Sequence, residues 1–358
     1  MYEELESLKA KGVYEEVDEL PPGRKAINCK WVLHIKRNKE GQISRFKARL
    51  VAKGFTQVPG QDFTFTFAPV ARWDSLRTVL TIAAMMDWSL RHIDIKTAFL
   101  NGPLDEELYM RKPDGLGTGF WRLLKGLYGL RQAGRQWYLH LNEKFEAMGF
   151  KRTESDWSVH QRLTTDGHSI SATSVDDILL ASSSKEESNR AAKDISQVFE
   201  TSDAEDVEHL LGCRITRWRS RCSLKLDQEV FTTTILREFG MEHSAPNSTP
   251  FPAKTYLTAD MCPKTDEERR QAETRPYKQV VGKCMYLATC TRPDIAWAVR
   301  ELARFIANHG EKHWTCAKHL LRYLSGTRSI GVILGHRDNP YPLLKALSDS
   351  DWAMGEHR

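Results

Sequence analysis

Ser169-Ile170-Ser171-Ala172-Thr173-Ser174-Val175-Asp176-Asp177-Ile178-Leu179-Leu180-Ala181 sets two adjacent carboxylates between short β-prone runs. The pattern predicts a hairpin with Asp176 and Asp177 at or beside its turn. The acids stand where apolar residues are expected. Burying them there costs several kcal/mol unless a cation or a hydrogen-bond donor meets them. An Asp-Asp pair in a turn is, by itself, usually only a solvated loop.

A second stretch adds a third acid. Trp88-Ser89-Leu90-Arg91-His92-Ile93-Asp94-Ile95-Lys96-Thr97-Ala98-Phe99-Leu100-Asn101-Gly102 reads as a strand that delivers Asp94, then turns at Lys96 to Ala98 into a short helical or looped segment. Three carboxylates on neighbouring strands repel one another, so they are stable as anions only around divalent metal. Two Mg²⁺ ions about 4 Å apart in such a set activate a 3′-hydroxyl and stabilise a leaving pyrophosphate, with Mn²⁺ an alternative. This is the chemistry of a nucleic-acid polymerase.

The chain has 358 residues, enough for a sizeable core divided among roughly two or three subdomains. No apolar run has the length of a membrane span or the flanks of a signal peptide, so a soluble protein without membrane partners is expected. Seven cysteines, at 29, 213, 222, 262, 284, 290 and 316, form no Cys-x-x-Cys pair. A reduced, intracellular, cytoplasmic setting follows, and zinc is not supported. His309, His313 and Cys316 have ligand-like spacing, but they also flank Trp314 in an amphipathic helix.

The net charge of +5 is modest, and its distribution says more. Between Arg24 and Thr56 the basic residues are Arg24, Lys25, Lys30, Lys36, Arg37, Lys39, Arg45, Lys47, Arg49 and Lys53, against Glu40 alone. Such density suits a phosphate-binding surface or a solvated hairpin face. Before it, a short helix over Tyr2 to Lys11 and an extended run from Val13 to Leu20 are expected. Lys30 to Lys36 and Phe46 to Ala52 alternate as paired strands around a turn at Asn38 to Gly41. Lys47 and Arg49 then share one face, where two cations can clamp a triphosphate or grip a template backbone.

Several strings resemble copia-type retrotransposon reverse transcriptases. They are Phe46-Lys47-Ala48-Arg49-Leu50-Val51-Ala52-Lys53-Gly54-Phe55-Thr56-Gln57, Gly60-Gln61-Asp62-Phe63 with Phe67-Ala68-Pro69-Val70, Asp94 to Gly102 with Glu106-Glu107-Leu108-Tyr109-Met110, Leu127-Tyr128-Gly129-Leu130-Arg131-Gln132-Ala133, Val175-Asp176-Asp177, and Cys290-Thr291-Arg292-Pro293-Asp294-Ile295-Ala296. The resemblance runs through nearly the whole chain in order. It implies an α+β right-hand polymerase fold with an antiparallel palm sheet, β-rich fingers and a helical thumb or connection. The implied reaction adds deoxynucleotides to a primer 3′-end on an RNA or DNA template, within a virus-like particle. Asp94, Asp176 and Asp177 would be the catalytic metal ligands. Lys47 and Arg49 would meet the triphosphate and template, and the amides of Lys96 and Thr97 would support the phosphates. Phe99 would lie under the sugar of the incoming nucleotide and reject a 2′-hydroxyl. Gln132 would contact template or nucleotide, and Leu211, Gly212 and Cys213 would form a primer grip.

Two departures stand out: Gly134 where the family usually has Pro, and Ser174 where most relatives have Tyr. A serine forfeits a stacking surface worth on the order of 1 kcal/mol, so weaker primer engagement is expected. A remnant that binds nucleic acid without synthesis is the alternative. Elsewhere, Asp74 and Ser75 can cap a helix with Leu76, Val79, Leu80, Ala83 and Met86 on one face. Trp137, Leu141 and Phe145 form a core stripe ending at Gly149, and Ser184 to Phe199 is amphipathic with Ala191, Ile195, Val198 and Phe199 inward. His209 to Thr216 with Ser223 to Leu226 predicts another hairpin. Phe231 to Phe239 is a short helix. Three more are expected, over Tyr277 to Thr289, Pro293 to Asn308 and Glu311 to Ser325, with Arg300, Arg304, Lys318 and Arg322 able to line a duplex. The expected units are fingers and palm over 1–222, thumb or connection over 223–345 with an extended connector over 244–276, and the first strand of a truncated ribonuclease H domain over 346–358. One strand cannot assemble a hydrolytic site, so no ribonuclease H activity is expected.

Overall fold

A computed structural model describes residues 1–37 and 42–335. The expected turn at Asn38 to Gly41 and the expected strand at 346–358 lie outside the described residues. The chain opens with α1 (Tyr2–Ala10), β1 (Tyr14–Val17), β2 (Ala26–Ile27), β3 (Cys29–Arg37), β4 (Ile43–Ala52), α2 (Trp73–Met85), β5 (Ser89–Ile95), β6 (Pro103–Arg111) and β7 (Phe120–Lys125). It continues with α3 (Ala133–Ala147), β8 (Lys151–Arg152), β9 (Val159–Thr164), β10 (Gly167–Ser174), β11 (Asp177–Ser182), α4 (Lys185–Val198), β12 (Thr201–Glu205), β13 (His209–Leu210), β14 (Cys213–Trp218) and β15 (Ser223–Asp227). Last come α5 (Glu229–Glu238), α6 (Asp266–Glu273), α7 (Tyr277–Cys290), α8 (Ala296–Ala303), α9 (Glu311–Gly326) and β16 (Gly331–Leu334).

The centre is a six-stranded sheet in the order β12-β5-β11-β10-β9-β8, antiparallel at every pairing. Its strands alternate between two cores, as a sheet covered on both faces requires. Ile93, Ile95, Ile178 and Leu180 point back onto α3 and α4, where Trp137, Leu141 and Phe145 join them. Each such apolar side chain contributes about 1.5–3 kcal/mol by burial. Leu90, Ala172, Leu179 and Ala181 point forward into a second core with α2 and the sheet β13-β14-β15-β16. The front face past these residues is left for the acids.

Three local expectations change. The cap of α2 comes from a distance: Asp156 Oδ2 accepts from the Arg72 amide at 3.0 Å and from Ser75 Oγ at 2.6 Å. Met86 follows the helix and is exposed. On α4, Val198 is exposed, and Glu187 faces inward instead, with no exposed surface. Its carboxylate is matched by Arg162 at 2.9 Å, Thr164 at 2.7 Å and Ser169 at 3.0 Å, so the buried charge is paired.

The N-terminal part has the sheet β1-β7-β6-β2 and the separate hairpin β3-β4. The C-terminal helices share one core through Val281, Leu287, Leu302, Leu320 and Leu324. Phe251 and Leu257 of the connector enter that core, and Thr265 with Glu268 makes a capping box for α6. Residues 244–276 are therefore a packed part of the helical unit rather than an extended linker. The division expected after Cys222 falls inside the β14-β15 hairpin and would split one sheet.

Candidate active site

Asp94 and Asp177 are register partners across β5 and β11. Directly opposed residues have Cα atoms about 4.5–5.5 Å apart and side chains on one face. Asp176 occupies the turn, and its carbonyl accepts a 2.8 Å bond from the Ile95 amide, which stitches the turn to the Asp94 strand. Val175 begins the turn at φ +60°, and its carbonyl accepts from Trp137 Nε1 at 2.7 Å. Two segments some eighty residues apart thus deliver three acids to the open end of the front face.

Burial raises the Asp176 carboxyl above the usual range, and the charges of Asp177 and Asp94 raise it further. His92 lies on the Asp94 side of its strand and meets Asp177 Oδ1 through Nε2 at 2.6 Å. That bond raises the imidazole above its ordinary value against the effect of burial, and the three carboxylates add to the rise. Ser202 Oγ donates to Asp94 Oδ2 at 3.4 Å. Clustered oxygen donors whose mutual repulsion favours an added proton are the donor set that a hard divalent cation suits. Among the described residues, no three His, Cys, Asp or Glu side chains are already gathered closely enough to enclose an ion.

From the hairpin β3-β4, the Arg49 charge acts on Asp176 and works against the rise of its carboxyl. Lys47 pairs with His34 and Arg49 with Val32, so both cations are on one face. The Arg49 guanidinium sits 5.0 Å from the Tyr128 ring centroid, and Tyr128 meets Phe99 edge-on at 5.6 Å. A chain of contacts therefore joins Arg49 to the segment that follows Asp94. At its base the hairpin is fixed by the Ala52 amide on the Tyr128 carbonyl at 2.8 Å. Gly129, at φ +89°, allows this: a β-carbon there would come within 2.2 Å of the Ala52 carbonyl oxygen.

Residues 11–253 match the reverse transcriptase (RNA-dependent DNA polymerase) family. The chain belongs to this family, in its copia-type branch. It is 39% identical over 359 residues to the retrovirus-related Pol polyprotein from transposon TNT 1-94 of Nicotiana tabacum, a match covering 99% of this chain and 27% of that protein. The corresponding polyprotein from transposon RE2 of Arabidopsis thaliana is 36% identical, covering 93% of this chain and 22% of the relative. The chain thus spans about a quarter of the length of these relatives. A foamy viral protease-reverse transcriptase solved in complex with RNA/DNA hybrid aligns with a TM-score of 0.46 and 12% identity, over 91% of this chain and 36% of that one. The architecture is α+β, with the antiparallel central sheet and the C-terminal helices that the motifs implied.

In this reverse transcriptase chain, several expected contacts need revision. Gln132 is fully buried, with Gln57 Nε2 on its Oε1 at 3.0 Å and its own Nε2 on the Asp62 carbonyl at 2.9 Å. It braces the Gln57 to Asp62 segment against the start of α3, and its side chain is closed off from any template or nucleotide outside. Cys213 is likewise fully buried, beside the Cys290 thiol, and is core rather than grip. Leu211 and Gly212 form the β13-β14 turn at φ +45° and +72°, with the Leu211 carbonyl accepting from Tyr286 of α7 at 2.6 Å. The Lys96 amide is spent on the Glu200 carbonyl at 2.9 Å, so it does not face a phosphate. Thr97 adopts a left-handed φ of +51° at the turn out of the Asp94 strand, and Phe99 is half-buried. His309 lies against Tyr277 at 4.3 Å and bonds the Ala272 carbonyl at 3.0 Å, while His313 Nδ1 accepts from the Gly310 amide at 2.9 Å. Both are packing histidines.

Three participants were missed: His92, Ser202 and Trp137. His92 was legible, being two residues before Asp94 on the same strand face. Ser202 and Trp137 depend on a strand pairing and a helix contact that no local pattern carries.

No helix among the described residues is long and apolar enough to cross a membrane.

Proposed function

We propose that the chain catalyses template-directed addition of deoxynucleotides to a primer 3′-end, as an RNA-directed DNA polymerase. The observation that carries this reading is the Asp94–Asp177 register pair with Asp176 in the adjoining turn, in a chain of reverse transcriptase sequence. Asp94, Asp176 and Asp177 would hold two Mg²⁺ or Mn²⁺ ions, which supply activation of the primer hydroxyl and neutralisation of the leaving pyrophosphate. Their fit rests on the donor set: three carboxylates, one of them pushed toward its protonated form by burial and its neighbours.

The protein's own part is placement. Lys47 and Arg49 offer the triphosphate and the template backbone two positive charges on one strand face, with Arg49 held in place by its contact with the Tyr128 ring. Phe99, packed edge-on against Tyr128, would stand under the sugar of the incoming nucleotide, reject a 2′-hydroxyl and favour deoxynucleotides. Leu211 and Gly212 present backbone to the primer, and the Tyr286 bond couples that turn to the thumb helix. Thr97 contributes its amide to the phosphates. The partners are a primed RNA or DNA template and deoxynucleoside triphosphates. The units are fingers and palm through Asp227, then a thumb or connection that includes residues 244–276.

Primer extension on RNA and DNA templates, with Mg²⁺ or Mn²⁺, tests the proposal. Extension that is lost in Asp177→Asn supports it. Template binding without extension under either metal supports the remnant reading, which Ser174 favours.

A further inference from the structure

Both acid-bearing segments are fastened to one turn of α3. Val175 is β-branched yet stands at φ +60°, a conformation that such a residue keeps only where its surroundings hold it. Its carbonyl accepts from Trp137 Nε1 at 2.7 Å. Trp137 is 2% exposed, so the donor ring is held away from water, and Phe199 meets it edge-on at 5.3 Å. On the other side, the backbone of Gln136 and Trp137 is seated on Gly102, at the end of the segment that begins with Asp94. A β-carbon on Gly102 would come within 2.7 Å of the Trp137 nitrogen and 2.8 Å of the Gln136 carbonyl carbon. The Gly102 contact and the Val175 bond therefore refer the two halves of the acid cluster to the same turn of one helix.

We propose that Trp137 is a positioning residue: its indole N–H holds the strained Val175 peptide so that Asp176 and Asp177 face Asp94 at the spacing phosphoryl transfer needs. A tryptophan chosen for packing alone would be replaceable by any large ring. A tryptophan that sets a turn is not, because the donor fixes the peptide plane from which Asp176 departs. The inference rests on the polymerase reading for its consequence, though not for the tie itself.

Trp137→Phe keeps an aromatic ring in the pocket and removes the donor. The expected result is a fall in kcat for single-nucleotide addition of about tenfold to 10²-fold, since misplacement of reacting groups by about 1 Å has effects up to that order. The deoxynucleotide KM should stay within about twofold, because the fingers contacts are untouched. In a Val175→Gly background the turn residue takes a positive φ without strain, so Trp137→Phe should cost less than about threefold there. Equal losses in the two backgrounds, or wild-type kcat in a folded Trp137→Phe chain, overturn the proposal. Amide hydrogen exchange separates this outcome from the fate of the polymerase reading. Trp137→Phe should speed exchange at Asp177 and Ile178 relative to Gln161 and Leu163 of β9, whether or not the chain extends a primer, and unchanged exchange also overturns the proposal. If the wild-type chain extends nothing while exchange responds as expected, the polymerase reading fails and the tie stands.

Discussion

The six-stranded sheet that carries Asp94 and Asp177 is covered on both faces, whereas the hairpin that carries Lys47 and Arg49 is a two-stranded ribbon. On the ribbon's other face Leu33 is 70% and Phe46 73% exposed, an arrangement no core would tolerate. Two strands alone are marginally stable, and this pair is held at its base by Tyr128 and Gly129 and along β4 by α1, where Glu4 Oε1 accepts from the Leu50 amide at 3.2 Å. The difference follows the work each region is proposed to do. Groups that hold reacting atoms need positions fixed before substrate arrives, while groups that meet a triphosphate or a strand can be ordered by the substrate itself. Substitutions in the sheet should therefore act on kcat, and substitutions in the ribbon on KM.

The sharpest division comes from the acids. Asp94→Asn keeps the side-chain shape and removes one charge from a set in which Asp176 is already pushed toward its protonated form. Extension should fall at least about 10³-fold, as expected when an electrostatic participant in phosphoryl transfer is lost. Thermal stability should hold or rise slightly, because one like-charge repulsion is gone and, among the described residues, the side-chain bond at stake is the 3.4 Å contact with Ser202. A loss of activity that tracks a loss of folded protein would mean that Asp94 is structural.

The ribbon should answer differently. Lys47→Ala and Arg49→Ala each remove a charge-assisted contact worth about 1.5–3 kcal/mol, which is at least about tenfold in deoxynucleotide KM with kcat little changed. If kcat falls instead, the ribbon is part of the rigid machinery and the contrast breaks. Phe99 lies between the two regions through Tyr128. Phe99→Val should relax the rejection of ribonucleotides by about tenfold to 10²-fold, measured as the ratio of kcat/KM for matched sugars. An unchanged ratio would show that Phe99 only packs.

How much of this could be read from the sequence differs in the same way between the regions. The hairpin around Asp176, the Asp94 strand and the stripe Trp137, Leu141 and Phe145 were legible because strand and helix periods place those residues without help from distant chain. The family motifs, which run in order through the chain, gave the polymerase class. Burial was the weak point. Gln132 and Cys213 lie in strings that resemble functional segments, yet both are fully buried, and no local pattern distinguishes a polar brace from a polar contact. Val198 and Met86 were placed inward by helical period at the frayed end of a helix, where the chain already turns away. The helix α6 was missed despite Thr265-Asp266-Glu267-Glu268, a capping-box signature outweighed by the surrounding prolines. The remote cap by Asp156 and the tie from Trp137 to Val175 join residues 84 and 38 positions apart, and only the assembled fold contains them.

The smallest expected effect lies where the two regions meet the primer. Ser174 is the register partner of Asp177 across the β10-β11 hairpin, so its side chain rises from the same face as Asp177 and Asp94. It is half-buried and stands directly opposite Asp177. Ser174→Tyr adds a stacking surface worth on the order of 1 kcal/mol, about fivefold in primer affinity. Extension should improve by that factor at limiting primer and stay unchanged at saturating primer, since nothing in the acid cluster moves. Improvement at both concentrations would mean that the residue shapes the turn, and the hairpin's rigid and adaptable functions would then have to be assigned to the same few atoms. No improvement at either would show that the primer end is gripped elsewhere, with Leu211 and Gly212 the remaining candidates.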